Sequence, residues 1–273
     1  MPRTGRLPST ITMRRSLGRI KTGIRFVSVA LERQNALWAF LLVKLGTQSK
    51  EVIVAVGTDG KGSKRMKTEI LKIKGDWEEV VNDCRATVKK PELGREPSTE
   101  WKRKILISEH DPIRDIIFKF RWRDIFYWVA MHYKTHTWRS RTNSQRPERQ
   151  SEYDRNKAPQ DAPVDFIGDP NTQHLIDTSR KRLCFQASPE TRENWEDLKV
   201  VIREVEPEIS DVMVPNCVYR CGCPEMTKCP VAQRGRGLSY WELLVDKTNG
   251  DILTSNIQER YDLYNKNFWE GRK

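Results

Sequence analysis

The chain has 273 residues, 37% hydrophobic and 32% charged, with nine tryptophans, which is enough apolar material to bury a sizeable core in one large domain or two modest ones. Lys and Arg outnumber Asp and Glu by 49 to 37, and the net charge of +12 favours anionic partners: phosphorylated small molecules, nucleic acid or a membrane surface. No apolar run reaches the roughly 18 to 20 residues of a membrane-spanning helix, so no membrane partner is expected, and the six cysteines read as reduced thiols of a cytoplasmic protein.

Residues 1 to about 20 are basic and rich in Pro, Ser and Gly, the composition of a mobile tail. Ala36 to Val43 reads as a helix or a strand, and Glu51 to Val56 as a strand. Gly57-Thr58-Asp59-Gly60-Lys61-Gly62 is a turn or linker, without the Gly-Lys-Ser/Thr ending and glycine spacing of a phosphate loop. A new pattern opens at Met66. It suggests a basic N-terminal extension over 1–65, a central domain over 66–234 and a C-terminal extension over 235–273.

Thr68 to Ile73 is expected as a short strand, followed by a helix capped by Asp76, a loop from Pro91 to Pro97 and a helix from Trp101 to Ile107. From Asp115 the pattern alternates: Ile116, Phe118, Phe120 and Trp122 on one face, Lys119, Arg121 and Arg123 on the other, a half-buried strand. Asp124 is placed to cap a helix from Ile125 to about His136. A proline-rich, charged stretch over 146–170 reads as an ordered loop or lid. A helix is expected from Asn171 to about Ala187. Another starts at Ser188-Pro189, with a Trp195, Leu198, Ile202, Val205 stripe and a stop at Pro207. Beyond the cysteine-rich segment Cys217 to Cys229, Tyr240 to Val245 reads as a strand, Asn249-Gly250 as a turn, and Tyr261, Tyr264, Phe268 and Trp269 as an aromatic helix.

All four histidines, His110, His132, His136 and His174, fall within about a quarter of the chain. His132 and His136, four apart on an expected helix, share a face. Tyr133 between them leaves no glutamate for a zinc hydrolase, and no metal is assigned. The run from Lys134 to Lys157 is arginine-rich and dotted with hydroxyls. Such a run suits phosphate, but taken by itself it is more often a solvated surface or a nucleic-acid patch. Asn171, His174, Thr178 and Arg182 share a sector of their helix. Spacing alone leaves Arg182 open between polarising a ring carbonyl and forming a structural ion pair. Cys217, Cys221, Cys223 and Cys229 lack paired Cys-x-x-Cys elements, which favours packing or turn cysteines over zinc. No covalent nucleophile is legible.

Taken in order, these pieces resemble the flavin-dependent thymidylate synthase family over about Met66 to Cys229. The similarity is carried by Asn171, Asp177 and Arg182 with the Ala187-Ser-Pro-Glu190 step. It continues in Val214-Pro215-Asn216-Cys217 with Cys223-Pro224-Glu225 and Cys229, in Ser108-Glu109-His110, and in Cys84-Arg85-Ala86-Thr87. In the family signature Arg-His-Arg-x-x-Ser-x-Asn-Glu-x-Ser-x-Arg, His136 takes the histidine place and Ser144 and Arg146 the closing Ser-x-Arg. Thr135 and Thr137 replace the two arginines, Arg139 and Arg141 are candidates to stand in for them, and the gap from His136 to Arg146 is one residue short.

The resemblance implies an α/β (α+β) fold, a twisted, mostly antiparallel sheet flanked by helices. It implies reductive methylation of dUMP to dTMP with FAD as cofactor and methylenetetrahydrofolate and NADPH as co-substrates, in a homotetramer with sites between subunits. By the same resemblance Arg182 would polarise the uracil ring. Ser144, Gln145, Arg146 and His132 would bind dUMP, and His110, His136, Arg85, Thr87, Arg139, Arg141, Asn171 and Asp177 would bind FAD. A non-catalytic nucleotide- or nucleic-acid-binding relative of this fold, or a pyrimidine hydroxymethylase, are the alternatives.

Overall fold

The computed structural model describes the backbone of residues 14–19, 25–33, 36–43 and 52–55, and residues 68–144, 146, 149, 154, 156–229, 239–246 and 256–272 in full. Its centre is one antiparallel sheet. Strands β1 (Arg14–Arg19), β2 (Arg25–Arg33), β3 (Ala36–Val43) and β4 (Val52–Ala55) form a meander that runs on into β5 (Thr68–Lys74) and β6 (Ile117–Phe126). Then come β8 (Pro163–Asp169) and, at the edge, β7 (Arg139–Thr142), in the order β1-β2-β3-β4-β5-β6-β8-β7. Helices cover this sheet, so the α/β, antiparallel, helix-flanked architecture expected from sequence is the observed one.

The ambiguous Ala36–Val43 run is a strand, and β4 pairs with β5 through Val54 opposite Ile70. Part of the supposed mobile tail, Arg14–Arg19, is instead a strand paired with β2. The Met66 boundary and the Gly57–Gly62 turn lie outside the described residues, as does Asn249-Gly250.

The alternation in β6 is realised: Phe118, Phe120 and Trp122 are fully buried while Lys119, Arg121 and Arg123 are not. The strand runs two residues further than expected. Asp124 sits at a bulge with a left-handed φ of 55°, a conformation an aspartate tolerates better than most residues. It therefore cannot serve as a helix cap, and α3 (Tyr127–Lys134) starts without a side-chain cap.

Helix α1 (Trp77–Thr87) is capped by Asp76, and α2 (Thr99–Ser108) by Ser98. A 3-10 helix, Asp111–Asp115, leads into β6. Beyond β8 lies α4 (Thr172–Arg182), shorter than expected, then α5 (Pro189–Val205) with Ser188 as its cap, α6 (Pro207–Val212) and α7 (Asn216–Tyr219). Tyr240–Asp246, expected as a strand, is helix α8, with Trp241 and Leu244 buried one turn apart. Helix α9 (Ile257–Glu270) carries the expected aromatic end.

An aromatic cluster ties the sheet to the helices. Tyr133 of α3 stacks on Trp195 of α5 at 5.5 Å, and Trp138, which leads into β7, stacks on Trp195 at 6.3 Å. Gly168 makes room for this: a Cβ there would lie 2.6 Å from the rings of both Phe120 and Trp138. The Trp138 and Trp195 indole nitrogens donate to Thr178 Oγ1 (3.1 Å) and Ser179 Oγ (2.8 Å) of α4. Two buried aromatics thus fix α4 at its middle, which sets where both of its ends fall.

Candidate functional site

The last residue of α4, Arg182, reaches across to the end of α3. Its Nε donates to His136 Nε2 at 2.9 Å, and its Nη2 donates to the His132 carbonyl at 2.6 Å and to Thr135 Oγ1 at 3.2 Å. Because His136 Nε2 accepts, the ring carries its proton on Nδ1 and is neutral. Burial and, next, the Arg182 charge push its pKa down to about 4. The ring lies nearly parallel to Trp138, at an interplanar angle of 11°.

His132 is held from the other side. The Ser188 hydroxyl donates to Thr191 Oγ1, and the same hydroxyl is hydrogen-bonded to His132 Nδ1 at 3.0 Å. Tyr133 donates to the Thr191 carbonyl at 2.5 Å. Burial, then Arg182, lower the His132 pKa as well. A neutral His136, a His132 whose protonation burial and Arg182 disfavour, and a fixed arginine therefore meet at the C-terminal end of α4, where a helix dipole favours a cation.

At the other end of α4, Asn171 is the N-cap. Its side chain accepts from His174 N at 2.9 Å, and its own N–H donates to His174 Nδ1 at 3.4 Å, a reciprocal cap. His174 lies close enough to His136 to depress its protonation further. One turn on, Asp177 accepts from Gln173 Nε2 and from Arg180 Nη1. Arg180 also pairs with Glu109 and packs 3.8 Å over the Tyr219 ring.

The structure thus brings Arg182, His132 and His136 together, with Asn171 and Asp177 on the same helix. Arg139 and Arg141 lie on the β7 edge, where Arg141 pairs with Asp169 at 3.2 Å. Ser144 and Arg146 follow β7, the Arg146 N–H reaching Ser144 Oγ at 3.4 Å, and Gln145 between them lies outside the described residues. His110 is exposed at the start of the 3-10 helix. Arg85 Nε donates to the Pro91 carbonyl at 2.5 Å, and Thr87 to the Cys84 carbonyl at 2.8 Å, so both close the end of α1.

Thr135, Tyr133 and Thr191 were not singled out as site residues by sequence. Thr191 sits three residues after the Ser188 cap, and only the packing of α5 on α3 reveals its second role.

The donors left over show how far the residues fit a flavin. Arg139, Arg146, His110 and Nη1 of Arg182 have no side-chain hydrogen-bond partner among the described residues, so they are available to an anionic or carbonyl ligand. Arg85, Thr87, Arg141, Asn171 and Asp177 are already engaged inside the chain. The fit to a flavin is therefore partial: Arg139 and His110 are free to take anionic oxygens, and the engaged residues would have to exchange partners to join them. Among the described residues, no three metal-ligating side chains stand at coordination spacing, and no helix is long and apolar enough to cross a membrane.

No family model and no curated protein matches this sequence. Among solved structures, the chain is similar to a UMP/dUMP methylase, PolB from Streptomyces cacaoi, bound with 5-Br dUMP. The identity is 12% and the TM-score 0.44, over 54% of this chain and 93% of that one.

Proposed function

We propose that this chain is a pyrimidine-nucleotide methyltransferase of the flavin-dependent kind, converting dUMP to dTMP with FAD, methylenetetrahydrofolate and NADPH. The observation that carries this reading is the Arg182 guanidinium. Two of its three nitrogens are fixed by His136, His132 and Thr135, while Nη1 is left for a ligand. A preorganised cationic donor of this kind stabilises negative charge as it develops on a carbonyl oxygen. Here that oxygen would be on the uracil ring.

In this reading His136 is a positioning residue. Neutral and proton-bearing on Nδ1, it holds Arg182 without competing for its charge. Thr135, where the family resemblance expects an arginine, serves the same purpose. His132 presents its Nε2 edge to the nucleotide, and Ser144, Gln145 and Arg146 would take the phosphate. Arg139 and His110 would hold the phosphates of FAD, with His136, Arg85, Thr87, Arg141, Asn171 and Asp177 as further contacts. Bound FAD would supply the hydride chemistry that no side chain can. Subunits of a homotetramer would complete the site.

The same unpartnered cations, with the net charge of +12, also suit a non-catalytic nucleotide- or nucleic-acid-binding protein. Mass analysis of dUMP incubated with the purified chain, FAD, methylenetetrahydrofolate and NADPH separates the readings. dTMP is expected. A hydroxymethylated product identifies the hydroxymethylase instead, and unchanged dUMP that nevertheless binds refutes catalysis.

A further inference from the structure

Thr191 occupies the third position of α5, counted from its cap Ser188. A capping box carries a glutamate or glutamine there, whose side chain turns back to the N–H of the cap. Threonine is too short for that and does something else. Its backbone N–H donates to Ser188 Oγ at 3.4 Å, and its hydroxyl meets the Ser188 hydroxyl at 2.8 Å. A hydroxyl offers one donor and two acceptor positions, so capacity remains once Ser188 is served. It is spent outside α5, on His132 Nδ1 of α3 at 3.0 Å.

Thr191 is fully buried, whereas His132 is half-buried. The threonine is thus the fixed partner, and the imidazole is the group that is oriented. Trp128 meets the same ring edge-on at 5.4 Å. The other ring nitrogen, Nε2, has no hydrogen-bond partner among the described residues. Both hydroxyls can rotate, so the Ser188–Thr191 pair serves either tautomer of His132 without turning the ring.

Thr191 also reaches Arg182 by a second route. Its carbonyl accepts from Tyr133, and the Arg182 guanidinium lies over the Tyr133 ring, 5.8 Å from its centroid. Arg182 in turn donates to the His132 carbonyl. One residue at the start of α5 therefore touches both α3 side chains that adjoin the arginine.

We propose that Thr191 is a positioning residue of this site: its buried hydroxyl holds the His132 ring so that Nε2 is the nitrogen left for the ligand of Arg182. That this ligand is a uracil nucleotide rests on the function proposed above. A held ring places a polar contact before the ligand arrives, and a ring free to turn forfeits that orientation. A threonine serving only to pack α5 on α3 has no need of its hydroxyl, and valine, of nearly the same shape, replaces it without consequence for His132.

The test uses the full chain with isotope-labelled histidine ring nitrogens. Four histidines give few signals, and His132→Gln assigns the one that matters. We expect wild-type Nδ1 to be bonded to protein and Nε2 to be open to solvent. In Thr191→Val, Nδ1 should open to solvent and the dissociation constant for dUMP, measured with FAD present, should rise about tenfold or more. Thr191→Ser should return both toward wild type. Unchanged ring signals and dUMP affinity in Thr191→Val, with only a lower melting temperature, overturn the proposal. So does a serine variant that loses as much affinity as valine. If Thr191→Val does not fold, a wild-type His132 with both nitrogens open to solvent still overturns it. A wild-type chain that binds no dUMP, yet whose ring signals follow the Thr191 hydroxyl, supports the hold on His132 and refutes the nucleotide reading alone.

Discussion

Arg182 concentrates the residue-scale questions. If it polarises the pyrimidine, Arg182→Ala should lower dUMP turnover by about two to three orders of magnitude with little change in melting temperature. Lysine should rescue poorly, because an ammonium cannot hold His136 and a ligand in one plane. A purely structural arginine would show the reverse: a lower melting temperature and near-wild-type turnover per folded molecule.

Titration of Lys199 and His136 makes a separate prediction at this scale. Lys199 is fully buried among Tyr264, Phe268 and Trp269, donating to the Ser210 carbonyl and to Asn265 Oδ1, and burial lowers its pKa to about 7. Between about 7 and the ordinary 10.5 the unfolded chain binds the proton more readily. Stability should therefore rise with pH across that window. His136, with a folded pKa of about 4 against 6.5, should add a second rise with pH between those two values. Denaturant midpoints measured from pH 4 to 10 test both; in Lys199→Met the upper rise should vanish.

The elements divide by how locally they are determined. Helix α5 was legible because its cap is: Ser188 accepts from the third residue on, as its type predicts, and Asn171 does the same for α4. Asn171→Ala should cost about 1 kcal/mol of stability, read from urea unfolding. β6 was legible from its alternation. Its end was not, because the bulge at Asp124 is set by β8, whose Asp165 carboxylate accepts the Asp124 N–H.

α8 misled in a different way. Tyr240 to Val245 is aromatic and β-branched, but burial of Trp241 and Leu244 on the core imposes a helical period over that propensity. A local signal did exist: Ser239 and Glu242 form a reciprocal cap, Ser239 Oγ accepting from Glu242 N and the Glu242 carboxylate from Ser239 N. The grip on Arg182 could not be read locally at all. It joins residues about fifty positions apart, through a carbonyl and a threonine that carry no motif.

Over the whole molecule, the C-terminal helices share the central core. Trp241, Leu244, Tyr261, Leu263 and Tyr264 belong to it, Arg260 donates to the Val218 and Tyr219 carbonyls, and Arg272 pairs with Glu196 and Asp197. Ending the chain at residue 234 should therefore unfold or grossly destabilise it, as circular dichroism melting would show. The N-terminal strands are joined differently, by backbone pairing to β5. A chain starting at Met66 would bare the β5 edge, and its expected outcome is a folded domain with an increased tendency to self-associate.

The proposed reaction takes place at the end of α4, with dUMP as its substrate. Release of tritium from dUMP labelled at C5 measures this most directly, in the presence of FAD, methylenetetrahydrofolate and NADPH. Wild-type protein should release label in step with dTMP formation, and Arg182→Ala, folded to the same melting temperature, should release it about a hundredfold or more slowly. No release from a folded, flavin-loaded wild-type chain, or equal release from the Arg182→Ala variant, would contradict it.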